Sequence, residues 1–416
     1  MSAQDEHYIR AVTELGDTAR VVVTQDIYSR TGLKLVASGV AITSDLYQRL
    51  VQHLLLQPLD MSLSMENAVD AEMLWRDTQD LIQKNSRVAK MVAVLDKGYS
   101  LRKLLAAIQL PGPLTFKLTV AREKFPEIYQ HSLVILVISV YVARCEGMRL
   151  EEEEYLAVAA LFHDIGLLHI DPALLDPAHR MSNEERRHLY AHPLSAYLLL
   201  REFPALPRAI ADAVLEHHER MDGRGYPRGL PGDKISRYGQ ILAIAETSAK
   251  PFAPGASAGR WRELEVMLKL NFKQYGNGLL GYLSTLWDDD GETVVTTDSD
   301  EIMAKVKKLA ELFQEFERHA ETARGNELYD FAQARLANLM RELLDAGLDP
   351  HDPDGLMQCL GSDPECADEY APLLKEAIWQ FKAIVLDVSR HWPEAVRPKD
   401  GDYVWLETIE SLLSAT

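Results

Sequence analysis

Thiols, positive charge and long apolar runs are all scarce in this chain of 416 residues, and each scarcity narrows what it can be. Its three cysteines, Cys145, Cys359 and Cys366, have neither zinc-knuckle nor Cys-x-x-Cys spacing. They read as reduced thiols packed as small hydrophobes, and they argue against a cysteine-built zinc site. Lys and Arg number 44 against 63 Asp and Glu, for a formal net charge of −19. Affinity for a nucleic-acid polymer comes from lysine and arginine displacing counterions, so the balance opposes that partner. An anionic substrate would have to be drawn in by local metal ions. No apolar run is read as approaching the roughly 18 residues of a membrane span, and Met1 to Arg20 is too polar for a secretion signal. The expectation is a cytoplasmic chain with no membrane partner.

What the chain does have is histidine in one place. Seven of its thirteen histidines lie between Leu161 and Ala249. Leu156, Ala159, Ala160 and His163 recur at i, i+3, i+4, i+7, which turns His163 and its neighbour Asp164 toward the interior. A carboxylate removed from water costs several kcal/mol unless it is paired, hydrogen-bonded or bound to a metal, and no lysine or arginine lies within a turn of Asp164. Glu127 and His131, at i and i+4, share a face and can reach one centre. With His192 beside Pro193, His217-His218, and Glu246, the candidate metal ligands are Glu127, His131, His163, Asp164, His192, His217, His218 and Glu246. All are nitrogen or oxygen donors, which suits iron, manganese or similar divalent ions better than structural zinc. Five imidazoles and three carboxylates exceed what one ion accepts, so two or three ions are expected. For Glu246, coordination and the orienting of another ligand stay equally open. His169, His179 and His188 read as surface residues.

Hydrophobic content of 47% and charged content of 26% are those of a globular protein, and the length suggests about two to four domains. Residues 1–112 read as a small α+β regulatory or packing module. Its short strands fall at Val21–Val23, Leu33–Val36 and Val40–Ile42, Ser44 is read as the cap of a helix over Leu46–Leu56, and helices follow from Ala68 to Leu110. Residues 113–287 form the ligand-bearing domain, opening on a helix over Phe125–Cys145 with Pro126 in its first turn. Residues 288–301 close a polar stretch from Trp287 and read as a linker. Residues 302–416 read as a helical region, with amphipathic helices from Ile302 to Leu344, a loop over Asp349–Asp368 and a further helix over Ala371–Val388.

His163-Asp164-Ile165-Gly166 and Asp222-Gly223-Arg224-Gly225-Tyr226-Pro227, the latter preceded by His217-His218, resemble the HD-GYP family of cyclic di-GMP phosphodiesterases, over roughly Pro113 to Trp287. The resemblance implies a mainly α fold whose HD-type helical bundle holds two or three metal ions, iron or manganese. It implies hydrolysis of cyclic di-GMP to pGpG and GMP by a metal-activated hydroxide. By position, His163 and Asp164 resemble the family's catalytic ligand pair, with Asp164 bridging metals. Glu127 and His131 resemble the upstream pair of trinuclear members, and His192, His217 and His218 the remaining histidines. Gly225, Tyr226 and Pro227 would shape the substrate pocket and, in some members, meet a diguanylate cyclase or other signalling protein. The tail could support a homodimer. Three positions depart from the pattern. Leu167 stands where the family has lysine, Glu246 where it has aspartate, and the segment Glu246 to Phe252 is shortened, leaving Lys250 as the obvious phosphate contact. Two other readings follow: a degenerate metal-binding sensor or adaptor, and hydrolysis of another cyclic dinucleotide or a nucleotide phosphate.

Overall fold

The computed structural model describes residues 6–176, 178–179, 181–252, 260–270, 275, 277–283, 299–320, 323, 325–362, 364–391 and 404–414. It is mainly α and falls into two units, Met1–Gly255 with Phe272–Leu286, and Ala256–Asn271 with Trp287–Thr416.

The first unit opens with α1 (Glu6–Thr18), whose Tyr8, Ile9, Val12 and Leu15 are buried at helical spacing. Four short strands follow. β1 (Val21–Val23) pairs antiparallel with β4 (Leu63–Met65), and β2 (Ile27–Tyr28) with β3 (Lys34–Val36). The expected strand at Val40–Ile42 is reduced to a single bridge between Val22 and Ala41. The ladder partner of β1 lies some forty residues downstream, where no local pattern marks it. The expected cap at Ser44 also shifts. Ser44–Leu46 is a 3-10 turn flanked by Thr43, and the helix after it, α2, spans only Tyr47–Val51.

Helices α3 (Ala71–Lys84), α4 (Ser86–Leu95) and α5 (Leu101–Ala107) start on the side-chain caps Asp70, Asn85 and Ser100. Then come α6 (Gly112–Lys124) and α7 (Pro126–Cys145), the latter with its proline where a missing N–H costs nothing. By length and composition α7 could cross a membrane, which corrects the expectation that no such stretch exists. Its apolar residues are instead mostly buried against α4, α6, α8 (Leu150–Phe162) and α12 (Arg237–Ser248), and a helix apolar on every side is what the centre of a bundle requires. Between α8 and α12 lie α9 (Asn183–Leu189), opened by a Ser182–Glu185 capping box, α10 (His192–Arg201) and α11 (Arg208–Glu216). Helix α11 packs against α8, α10 and α12, which brings four chain segments to one end of the bundle.

The second unit holds helices Arg260–Leu270, Ser299–Arg318, Glu327–Asp345, Pro353–Ser362, Pro364–His391 and Val404–Ser414. Their core includes Phe313, Phe316, Tyr329, Leu339, Phe381 and Trp405. The loop expected over Asp349–Asp368 is largely helical. Pro353 and Pro364 each stand at a helix's first position, where proline starts a helix rather than breaking it. Of the expected linker, residues 288–298 lie outside the described residues, and 299–301 already begin a helix.

Within the first unit a buried ion pair joins the N-terminal segment to α6. Lys117 Nζ lies 2.8 Å from Asp60 Oδ2, with the two side chains 2% and 6% exposed. The Tyr8 hydroxyl donates to the other Asp60 oxygen, and the Tyr8 ring lies under the ammonium at 3.5 Å. His169 is not the surface residue expected: its ring packs on Tyr8 at 4.7 Å and its Nε2 is 3.2 Å from Lys117 Nζ. Removing one member of such a pair leaves a buried charge uncompensated. Asp60→Ala is expected to cost about 3–5 kcal/mol, read as a lower urea midpoint of the first unfolding transition. An unchanged midpoint would show that the pair contributes nothing.

Candidate metal centre

The centre is built at helix ends. His163 is the C-cap of α8 and Asp164 follows it, opening the 3-10 turn Ile165–His169. His192 begins α10, His217 is the C-cap of α11 with His218 beside it, His131 lies on α7 and Glu246 on α12. Gly166 lets the turn lie against α10: a Cβ there would stand 2.3 Å from the His192 carbonyl oxygen.

Three imidazoles are held in the same way. Nδ1 of His163, His192 and His217 donates to the carbonyl three residues earlier, Ala160, Leu189 and Val214, at 2.8, 2.8 and 2.6 Å. Those carbonyls belong to the last turns of α8, α9 and α11, which have no partner within their own helices. A carbonyl can only accept, so each Nδ1 carries a proton and each ring turns Nε2 inward.

Those Nε2 atoms meet one carboxylate. Asp164 Oδ1 is 3.1 Å from His192 Nε2 and 3.6 Å from His217 Nε2. Its Oδ2 is 3.3 Å from His163 Nε2 and 3.9 Å from His131 Nε2. Glu246 closes the second side, with Oε2 2.8 Å from His131 Nε2 and 3.4 Å from His163 Nε2. Two donor groups result, Asp164, His192, His217 and His218, and His131, His163 and Asp164, in each of which one atom per residue lies within 4.8 Å of the others. Asp164 belongs to both.

The donor set fits divalent metal. His163 Nε2 is buried and has no hydrogen bond of acceptable geometry, although two carboxylate oxygens are close. His192 Nε2 and His217 Nε2 face each other at 3.3 Å. With both Nδ1 atoms protonated, two lone pairs would oppose each other there unless a cation, proton or metal, is shared between them.

Electrostatics agree. Burial by itself would strip the proton from His163, but Asp164 and Glu246 override it and hold the imidazolium up to about 10. Burial likewise opposes charge on His131, and Glu246 reverses that too. Burial would raise both carboxyls, yet the imidazoles of His163, His192 and His217 hold Asp164, and His131 holds Glu246, well below the usual carboxylate range. His217 and His218 are pushed down by burial, which keeps them neutral and able to coordinate.

Two expected residues stand apart. Glu127, exposed in the first turn of α7, belongs to neither donor group, because the i, i+4 relation aligns it with His131 but leaves it a turn nearer the helix end. Lys250 is exposed just beyond α12. Leu167 is 9% exposed and packs with Ile170 and Leu174 instead of facing the centre.

The loop after His218 folds back over it. Tyr226 N–H donates to the His218 carbonyl at 3.0 Å, and a Cβ on Gly225 would lie 2.3 Å from Glu219 Cα, so only glycine permits the fold-back. Tyr226 joins Pro227 through a cis peptide. Sequence reasoning missed the groups that fasten this loop. The buried Glu219 carboxylate accepts from Arg228 N at 2.7 Å and Leu230 N at 2.9 Å, and Glu216 accepts from Ser236 N at 2.8 Å and Arg228 Nη2 at 2.7 Å. The signal was available: carboxylates at the end of an apolar helix raise the same question of pairing as Asp164. Tyr190, whose ring stacks on Tyr226, carried no local signal.

Comparison with known proteins picks out the same part of the chain. Residues 117–252 match the family model described as HD domain. The chain is 32% identical over 130 residues to the 3'3'-cGAMP-specific phosphodiesterase 1 of Vibrio cholerae serotype O1, covering 30% of each protein. It is 29% identical over 135 residues to the cyclic di-GMP phosphodiesterase PA4108 of Pseudomonas aeruginosa, covering 31% of this chain and 33% of that one. It is 36% identical over 121 residues to the cyclic di-GMP phosphodiesterase response regulator RpfG of Xanthomonas campestris pv. campestris, covering 27% of this chain and 31% of that one. The chain thus spans about a third of the length of these curated relatives.

An ion entering this centre must displace the proton that the carboxylates hold on His163. Metal affinity is therefore expected to rise with pH through neutrality and toward the His163 value of about 10, with proton release as the centre fills at pH 7. Calorimetric titration with manganese in buffers of different ionisation enthalpy measures that proton. A binding heat independent of the buffer would contradict the assignment.

Proposed function

We propose, from the premise that this chain carries an HD domain of the HD-GYP family, that it is a metal-dependent phosphodiesterase hydrolysing cyclic di-GMP to pGpG and GMP. The observation that carries this reading is Asp164, a buried carboxylate whose two oxygens face two separate groups of inward-pointing nitrogen donors.

We assign His163, Asp164, His192, His217, His218, His131 and Glu246 as metal ligands. The ions, two or three and iron or manganese by donor chemistry, would supply Lewis-acid activation of water and neutralise charge on the phosphodiester. The chain's own part is to keep the donors in place. The helix-end carbonyls lock three imidazoles in one tautomer, Asp164 spans the two groups, and Glu246 closes the side nearest α7. Gly225, Tyr226 and Pro227 would border the pocket, with Lys250 reaching a phosphate and Glu127 available to a third ion at the mouth. The loop would also be the face offered to a signalling partner such as a diguanylate cyclase. The setting assigned to this reaction is the cytoplasm.

Two observations favour alternatives. Leu167 is committed to an apolar cluster and supplies no cation to a phosphate, which favours a sensor or adaptor that keeps its metals. The Vibrio cholerae relative is named for 3'3'-cGAMP, which favours a different cyclic dinucleotide.

Single-turnover hydrolysis by protein loaded anaerobically with iron or manganese separates the three. Cyclic di-GMP is expected to yield pGpG and then GMP, and Asp164→Ala to lower the rate by at least about 100-fold together with the metal content. Product from 3'3'-cGAMP alone would reassign the substrate. Full metal content with no product from either nucleotide would leave the sensor.

A further inference from the structure

The five imidazoles of the centre are not held alike. His163, His192 and His217 are fastened by Nδ1 to main-chain carbonyls, and His131 by Nε2 to Glu246 at 2.8 Å. Among the described residues, His218 has no hydrogen bond from either ring nitrogen. Its orientation comes from ring contacts: His217 tilted against it at 4.1 Å, His192 edge-on at 5.1 Å, and Tyr226 stacked on it at 4.5 Å with 26° between planes.

Tyr226 is itself covered on a second contact. Tyr190 stacks on it at 4.4 Å with 25° between planes, so His218, Tyr226 and Tyr190 form a run of three rings. The two tyrosines come from different segments. Tyr226 is placed by the loop, through its N–H on the His218 carbonyl, whereas Tyr190 caps the end of α9, its N–H on the Arg186 carbonyl at 2.9 Å, two residues before His192. Tyrosine rings offset at this spacing attract beyond simple burial, and a ring confined by neighbours cannot turn about its own axis without losing contact. We propose that Tyr190 is a positioning residue for the metal group containing His218: by packing Tyr226 against that imidazole it does what a carbonyl bond does for the other three. The inference rests on the metal-centre reading above and concerns one of its two donor groups only.

The distinction gives a selective test on the full chain. Tyr190→Leu fills similar space without a flat ring, and Tyr190→Phe keeps the ring without the hydroxyl. Wild type and both variants would be titrated with cobalt(II), following affinity by calorimetry and coordination by the visible absorption of the bound ion. The expected result is that Tyr190→Leu weakens one class of site by about 10-fold or more and changes its spectrum, while the other class and the whole of Tyr190→Phe match wild type. Affinities and spectra unchanged in Tyr190→Leu would overturn the proposal, as would equal losses in the two variants or the loss of both classes at once, which would mark general damage. No cobalt bound by wild type would overturn the metal centre itself, a separate failure.

Discussion

A single buried carboxylate organises the ligand end of the bundle. Asp164 cannot sit among apolar side chains without compensation, and in this protein the compensation comes from imidazoles delivered by helices far apart in sequence: His131 on α7, His163 at the end of α8, His192 at the start of α10 and His217 at the end of α11. The packing of α11 against α8, α10 and α12 has to hold for these groups to meet. Folding and site construction are therefore one problem. A shift of any of these helices would strand the carboxylate, which is far costlier than leaving an apolar contact imperfect.

The helix ends solve a second problem. Every α-helix leaves its last carbonyls without an intrahelical partner, and a histidine placed three residues on can donate to one of them. The same bond that satisfies the backbone selects the ring's tautomer and aims the other nitrogen inward. In His163, His192 and His217 this single device satisfies the backbone and fixes the ring together. His218 lacks it and leans on Tyr226, and Tyr226 on Tyr190. The carboxylates Glu216 and Glu219 then tie the loop that carries Tyr226 back to α11 through main-chain N–H groups, so the loop's course is set by buried hydrogen bonds rather than by turn residues alone.

Several helices were legible in the chain because their signals are local: Pro126 in a first turn and apolar residues at helical spacing. The errors have local causes as well. The prolines and acidic residues of Asp349–Asp368 look like turn chemistry, although Pro353 and Pro364 open helices. The apolar length of α7 is masked in the sequence by isolated polar residues such as Ser132 and Ser139, both of which are buried with it. His169 looked like a surface histidine because its partners, Tyr8 and Lys117, are distant in sequence.

The sequence by itself determined the chemistry of the centre: histidine and carboxylate donors without thiolates, an interior His163-Asp164 pair, and a glycine-rich loop directly after His217-His218. Those are properties of residue type and short spacing, and both survive any choice of fold. Only the tertiary structure decided which donors share a centre. It set Asp164 between two groups, turned Glu246 toward His131, left Glu127 exposed at a helix start, directed Leu167 into an apolar cluster and stacked Tyr190 on Tyr226. The physical reason is range. Capping, periodicity and turn formation act over a few residues, whereas burial and pairing of charge depend on which helices pack together, and that is settled by the whole core at once.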